Sequence, residues 1–265
     1  MTIAIGTHFA QGVILCADTK FVDDNGGISY GSKLEYREGR RGNVVAIAHA
    51  ANDSNAAKML STEILASVTD CHDQADLETA IKQTMTQWQA DYGQSPVPFQ
   101  QFIVVFSLAG KTHVYLCQPP NIVIPALPGR SAVAGSAVKI VETLLPVVLD
   151  KSSEKNRWWD AESTLLKLAY LMKRAKSEDL YAGGDTEAIV IKNNGSYALT
   201  WPEEMKDAEQ FSEALDSLFC YCCHGFFSMR STEDQNIFLE RFSELFHRHL
   251  KDASESVFYQ TLADL

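Results

Sequence analysis

The sequence predicts an α+β chain in which two β-sheets stack face to face between helices, and three observations carry that expectation. Short β-rich runs come in pairs joined by tight turns, and helix-period stretches arrive in pairs between them. Nowhere does strand alternate singly with helix, as a parallel βαβ sheet requires. The chain has 265 residues, 46% of them hydrophobic, enough for one large core or two small ones. The expected architecture is a four-layer αββα sandwich over residues 1–201, with a helical C-terminal extension over 202–265 packed on the same unit.

In chain order, TIAIGTHF (2–9) and GVILCAD (12–18) are apolar runs separated by a step short enough for a tight hairpin, so they pair antiparallel. Asp23, Asp24, Asn25, Gly26 and Gly27 read as a solvated loop. A short strand over 32–37, a polar turn over 38–43 and the run VVAIAHA form a second hairpin. Asn52-Asp53-Ser54 supplies N-cap chemistry for the helix AAKMLSTEILASV, and apolar residues at helical spacing mark a second helix over 76–92.

The runs FIVVFSL, THVYLCQ and NIVIPAL, separated by Ala109-Gly110-Lys111 and by Pro119-Pro120, place further strands between 102 and 127 and imply a second sheet. After Gly135-Ser136, VKIVETLLPVVLD reads as a helix perturbed at Pro146, and ESTLLKLAYLMKRA as another. EAIVIKNNGSYALTW is a hairpin with an Asn-Gly turn. From Glu203 onward the pattern is helical only. EEMKDAEQFSEALDSLF and EDQNIFLERFSELFHRHLKD form an amphipathic appendix whose aromatic and leucine stripes need covering by a partner, which predicts a homo-oligomer.

Composition excludes several partners. A net charge of −11 with no Lys/Arg-rich face argues against nucleic acid and anionic membranes, and no apolar stretch approaches the roughly 20 residues a bilayer needs. A cytoplasmic location follows from the absence of a signal-type N-terminus, and reduced thiols from six cysteines set mostly in apolar runs. Cys220-Tyr-Cys222-Cys223-His224 reads as packing on a helix face rather than a metal site, because no second ligand pair has suitable spacing. His247 and His249, two residues apart on a helix, point to different faces. No metal or cofactor is expected.

Position 2 carries the chemistry. A threonine hydroxyl is a weak nucleophile without a base beside it, and the α-amine, with a pKa near 8, is a base that only the first residue of a chain possesses. Met1 precedes a small residue, the arrangement from which the initiator methionine is readily removed; Thr2 would then carry both groups. A cation would lower the hydroxyl pKa and a carboxylate would hold that cation. Lys33 and Asp18, near ends of strands neighbouring the first, are the candidates.

These residues resemble the proteasome β-subunit family of N-terminal nucleophile hydrolases, and within it the bacterial Anbu peptidases. An early Thr followed by a Gly-aliphatic run ending in Ala/Ser-Asp-Thr-Arg/Lys is matched by Gly12-Val-Ile-Leu-Cys-Ala-Asp18-Thr19-Lys20. Thr2, Asp18 and Lys33 stand at Anbu-like intervals. The family's Gly-Ser step before a helix matches Gly135-Ser136, and its Asp-x-x-Ser-Gly-Gly matches Asp179-Leu-Tyr-Ala182-Gly183-Gly184, with alanine in the serine position. The resemblance covers roughly 2–201.

The resemblance implies a threonine-type peptidase or amidohydrolase that hydrolyses peptide bonds through an acyl-threonine intermediate, with peptides or unfolded proteins as substrates. Thr2, Asp18, Lys33, Ser136 and Asp179 form its catalytic set. His49 aligns with the glycine whose N–H serves the oxyanion, and Lys20, Phe21, Gly31, Ile47 and Ala51 line the substrate pocket. The family also implies a homo-oligomer, as a ring or open helical stack. Two alternatives stand beside this reading: a non-catalytic scaffold subunit that retains Met1, and a hydrolase acting on small amides.

Overall fold

A computed structural model describes residues 3–22, 26–39, 42–92, 100–126, 130–149, 160–228 and 244, with side chains along α5 described as far as 217 except that of 215. Strands β1 (Ile3–Phe9) and β2 (Gly12–Asp18) form the expected first hairpin, with Phe9 opposite Gly12 at its turn. Strands β3 (Lys20–Val22) and β4 (Ile28–Tyr30), to which the sequence reading assigns no element, make a small two-stranded ribbon on either side of the expected 23–27 loop. The second hairpin is β5 (Leu34–Glu38) with β6 (Val44–Ala51). Helix α1 (Ser54–Val68) is capped by Asp53, whose carboxylate accepts the N–H groups of Asn55 and Ala56, and α2 (Gln74–Tyr92) follows.

Strands β7 (Gln100–Leu108), β8 (Lys111–Gln118), β9 (Ile122–Pro125) and β10 (Ser131–Gly135) precede α3 (Val138–Val148), which contains Pro146, and α4 (Ala161–Glu178). The last hairpin, β11 (Thr186–Lys192) with β12 (Tyr197–Thr200), turns at Gly195 with φ +86°, and α5 (Pro202–Ser228) follows.

Strand order corrects the expected partition. β7, β8 and β9 do not form a sheet of their own; they extend the β5–β6 hairpin into one antiparallel sheet, β5-β6-β7-β8-β9. The first hairpin instead recruits β10 on one side and β11-β12 on the other, giving β10-β1-β2-β11-β12. SAVAG, the run that becomes β10, is short and small-sided and was absent from the sequence reading as a strand; it pairs along β1 from Ile3↔Gly135 to Thr7↔Ser131.

The central strands β1, β2, β6 and β7 are buried on both faces along nearly all their length, and alternate residues go to different cores. Ile3, Ile5, Ile14, Cys16 and Val190 pack against α3, α4 and α5. Ala4, Leu15, Ala46, Ala48, Ile103 and Ile189 fill the space between the sheets. Val45, Ile47, Phe102 and Val104 pack beneath α1 and α2. The first turns of α5 are part of this packing, with Met205 and Ala208 buried in the same core as α4, so this part of the tail is not an appendix.

Thr2, Asp23, Asp24, the second tail helix with His247 and His249, and the side chains of Cys220, Cys222, Cys223 and His224 lie outside the described residues. Among the described residues, Cys16, Cys71 and Cys117 are free thiols, and no helix is long and apolar enough to cross a membrane.

Candidate active site

Asp18 closes β2 and Lys33 stands just before β5, so the two hairpins bring them together at one end of the sheets. Both side chains are fully buried, and Lys33 Nζ lies 2.8 Å from Asp18 Oδ1. The same oxygen accepts the Ile3 N–H at 3.0 Å, while Oδ2 accepts the Gly183 N–H at 2.9 Å. Lys33 also donates to the Lys20 carbonyl and lies 4.6 Å from the centre of the Phe21 ring, a cation–π contact. Burial pushes the Asp18 carboxyl up against the opposing pull of Lys33, and holds the Lys33 ammonium down to about 8 against the opposing pull of Asp18.

The glycine pair after α4 is what lets this loop close on the carboxylate. Gly183 (φ +156°) and Gly184 (φ +72°) occupy backbone conformations that side chains resist, and a Cβ at Gly184 would meet Thr19 Oγ1 at 2.5 Å. Around them Lys20 N–H donates to the Gly183 carbonyl, Thr19 N–H to the Asp185 carbonyl, and Lys20 Nζ to the Leu180 carbonyl. The sequence reading singled out Asp179 in this motif but gave no role to the Gly183 amide. The paired glycines were the available signal.

Asp179 caps α4; its Oδ1 accepts the Tyr181 N–H, and its Oδ2 is buried without a partner among the described residues. Ser136, just ahead of α3, likewise has a buried, unpartnered hydroxyl. Ala182 is buried and offers no polar group.

The His49 backbone N–H donates to the Lys33 carbonyl at 3.2 Å. Its ring is buried on the α1 side of β6, with Nδ1 3.5 Å from Ser61 Oγ. Because Ser61 donates its own proton to the Ala57 carbonyl, its oxygen is left to accept, and Nδ1 carries the imidazole proton. Burial, then the positive charges of Lys33 and Lys58, hold the His49 pKa down to about 3, which excludes a cationic role. Phe21 packs 6.0 Å from this ring and beside Gly31, whose N–H donates to the Thr19 carbonyl. Ile47 and Ala51 belong to the core under α1 and α2.

A buried lysine held by a carboxylate that also grips the start of β1 is an arrangement that can lower the pKa of a neighbouring hydroxyl. No family model and no curated protein matches the sequence. Solved structures with a similar fold include Anbu from Hyphomicrobium sp. strain MC1, with a TM-score of 0.62 at 13% identity over 82% of this chain and 97% of that one. Anbu (ancestral beta-subunit) from Yersinia bercovieri aligns with a TM-score of 0.65 at 12% identity, covering 82% and 97%. The helical assembly of the Anbu complex from Pseudomonas aeruginosa gives 0.63 at 14%, covering 82% and 95%. The chain thus carries the mixed α+β fold of the Anbu proteins.

Proposed function

We propose that this chain is an N-terminal-threonine peptidase that works, once Met1 is removed, through an acyl-threonine intermediate inside a homo-oligomer. One observation carries the reading: a single carboxylate oxygen, Asp18 Oδ1, receives both the Lys33 ammonium and the amide of Ile3, the nitrogen covalently joined to Thr2. Thr2 Oγ attacks the scissile carbonyl carbon while its α-amine, through water, accepts the hydroxyl proton. The C–N bond breaks, that proton leaves with the amine product, and water then hydrolyses the ester. Lys33 lowers the hydroxyl pKa and Asp18 holds Lys33. Ser136 Oγ and Asp179 Oδ2, both buried without partners, are suited to receive the N–H groups of the freed amine.

The His49 N–H serves the oxyanion by exchanging the Lys33 carbonyl for the developing charge, a stronger acceptor. In the same reading the core unit is an αββα sandwich over 1–201 with 202–265 as its extension, the substrates are peptides or unfolded chains, and the location is cytoplasmic. The helical assembly of the Pseudomonas Anbu complex supports a stacked homo-oligomer.

The test uses intact mass and covalent labelling. A peptide epoxyketone needs the hydroxyl and the free α-amine of one residue to close its ring, so it should add once per chain, on Thr2, and only where Met1 is gone. Thr2→Ala should abolish uptake with the fold intact. Since Lys33 acts as a cation, turnover should fall as pH rises through about 8. A chain with Thr2 first that takes up no warhead and cleaves no peptide library sinks the reading in favour of a scaffold.

A further inference from the structure

Glu209 is a nearly buried carboxylate on α5, outside the catalytic set. Its Oε1 accepts Lys176 Nζ from α4 at 2.7 Å and the Thr186 hydroxyl from β11 at 2.5 Å. Thr186 is the direct cross-strand partner of Asp18. Opposed residues of an antiparallel pair share a face with their Cβ atoms about 5 Å apart, so the Lys176–Glu209 pair sits on the helix side of the sheet directly beneath Asp18. The alternation along β2 agrees: Cys16, on the same face as Asp18, belongs to the core under α4 and its thiol feels both Lys176 and Glu209.

We propose that Glu209 is a positioning residue of the site: by neutralising Lys176 beneath Asp18 it keeps Lys33 cationic, so the seating of α5 sets the charge state of the Asp18–Lys33 pair. The inference rests on the proposed function for its meaning, though not for its measurement. Lys33 faces Asp18 from β2 and Glu187 from β11, which favour its ammonium form, and Lys176 from α4, which opposes it. From β6 comes the neutral ring of His49, and from β3 the Phe21 face and the Lys20 carbonyl. Without the Glu209 charge the field of Lys176 acts on Lys33 unopposed, and a lysine already held down to about 8 titrates closer to neutrality.

The measurement is the Lys33 titration midpoint in the full chain, read by NMR of carbon-13-labelled lysine, alongside the pH profile of peptide turnover. Glu209→Gln preserves shape and removes charge. It should move the midpoint down by about one pH unit, the order expected when one unit charge is removed from a shared, poorly screened interior. Lys176→Met should move it up, and the double variant should return it to within a few tenths of a unit of the wild type. Thr186→Val, which keeps both charges, should lower thermal stability and leave the midpoint alone. The alkaline limb of turnover should follow each shift. An unmoved midpoint in Glu209→Gln, or a double variant displaced as far as Glu209→Gln, overturns the inference. Failure of the processed wild type to take up any warhead removes the peptidase reading, and the Lys33 titration still decides this one.

Discussion

The two ends of the β1–β2 hairpin are built on opposite terms. At the turn end the contacts are between backbones: Gly12 packs against the backbone of β11, and the Asn193 N–H donates to the Gln11 carbonyl at 2.7 Å. At the other end stand a buried ion pair and two buried polar atoms, Ser136 Oγ and Asp179 Oδ2, without a partner among the described residues. Satisfied groups lower the energy of the folded chain alone, whereas buried groups left open lower it only when something else arrives. The difference sets a backbone-paired end of the strand pair against the end where the proposed chemistry lies.

Lys33→Met tests the contrast hardest. It strands Asp18 as a buried carboxylate without its cation, which costs about 3–5 kcal/mol, and it should abolish warhead uptake as well. Thermal unfolding and labelling check the two effects separately. Gly12→Ala strikes the turn end, where a Cβ would meet the Ile191 carbonyl oxygen at 2.1 Å and Lys192 Cα at 2.8 Å. A backbone shift is unavoidable, so a loss of about 2–3 kcal/mol is expected in denaturant melts, with the labelling of the remaining folded chain unchanged. Ser136→Ala removes a hydroxyl that makes no hydrogen bond among the described residues, so stability should change by less than about 1 kcal/mol or improve, while the uptake rate of the processed chain falls. A large destabilisation there would mean the site end is structural after all.

Much of this was legible locally. Asp53 as an N-cap, the Ala10-Gln11 turn and the glycine turn before β12 are short-range signals, and each lies where the sequence places it. Sheet membership was not, because pairing is decided by distant partners: nothing within Ser131–Gly135 announces that it will flank β1, or that β7 will join β6. The site follows the same division. Asp18 and Lys33 could be named from residue type and strand ends, but the Gly183 amide, the engaged His49 N–H and the Lys176–Glu209 pair depend on segments that meet only in three dimensions. Amphipathicity suggested that α5 needed a partner. In the fold that partner begins with α4, through Met205 and Ala208.

The Asp18 carboxylate collects residues 3, 33 and 183, and the last of these contacts spans 165 positions of sequence. A growing chain on the ribosome can form the first hairpin within its first 20 residues, yet β1 must await residues 131–135 for its second neighbour, and the carboxylate must await Gly183. Until residues 131–135 are in place, β1 has only β2 beside it and forms one edge of an unfinished sheet.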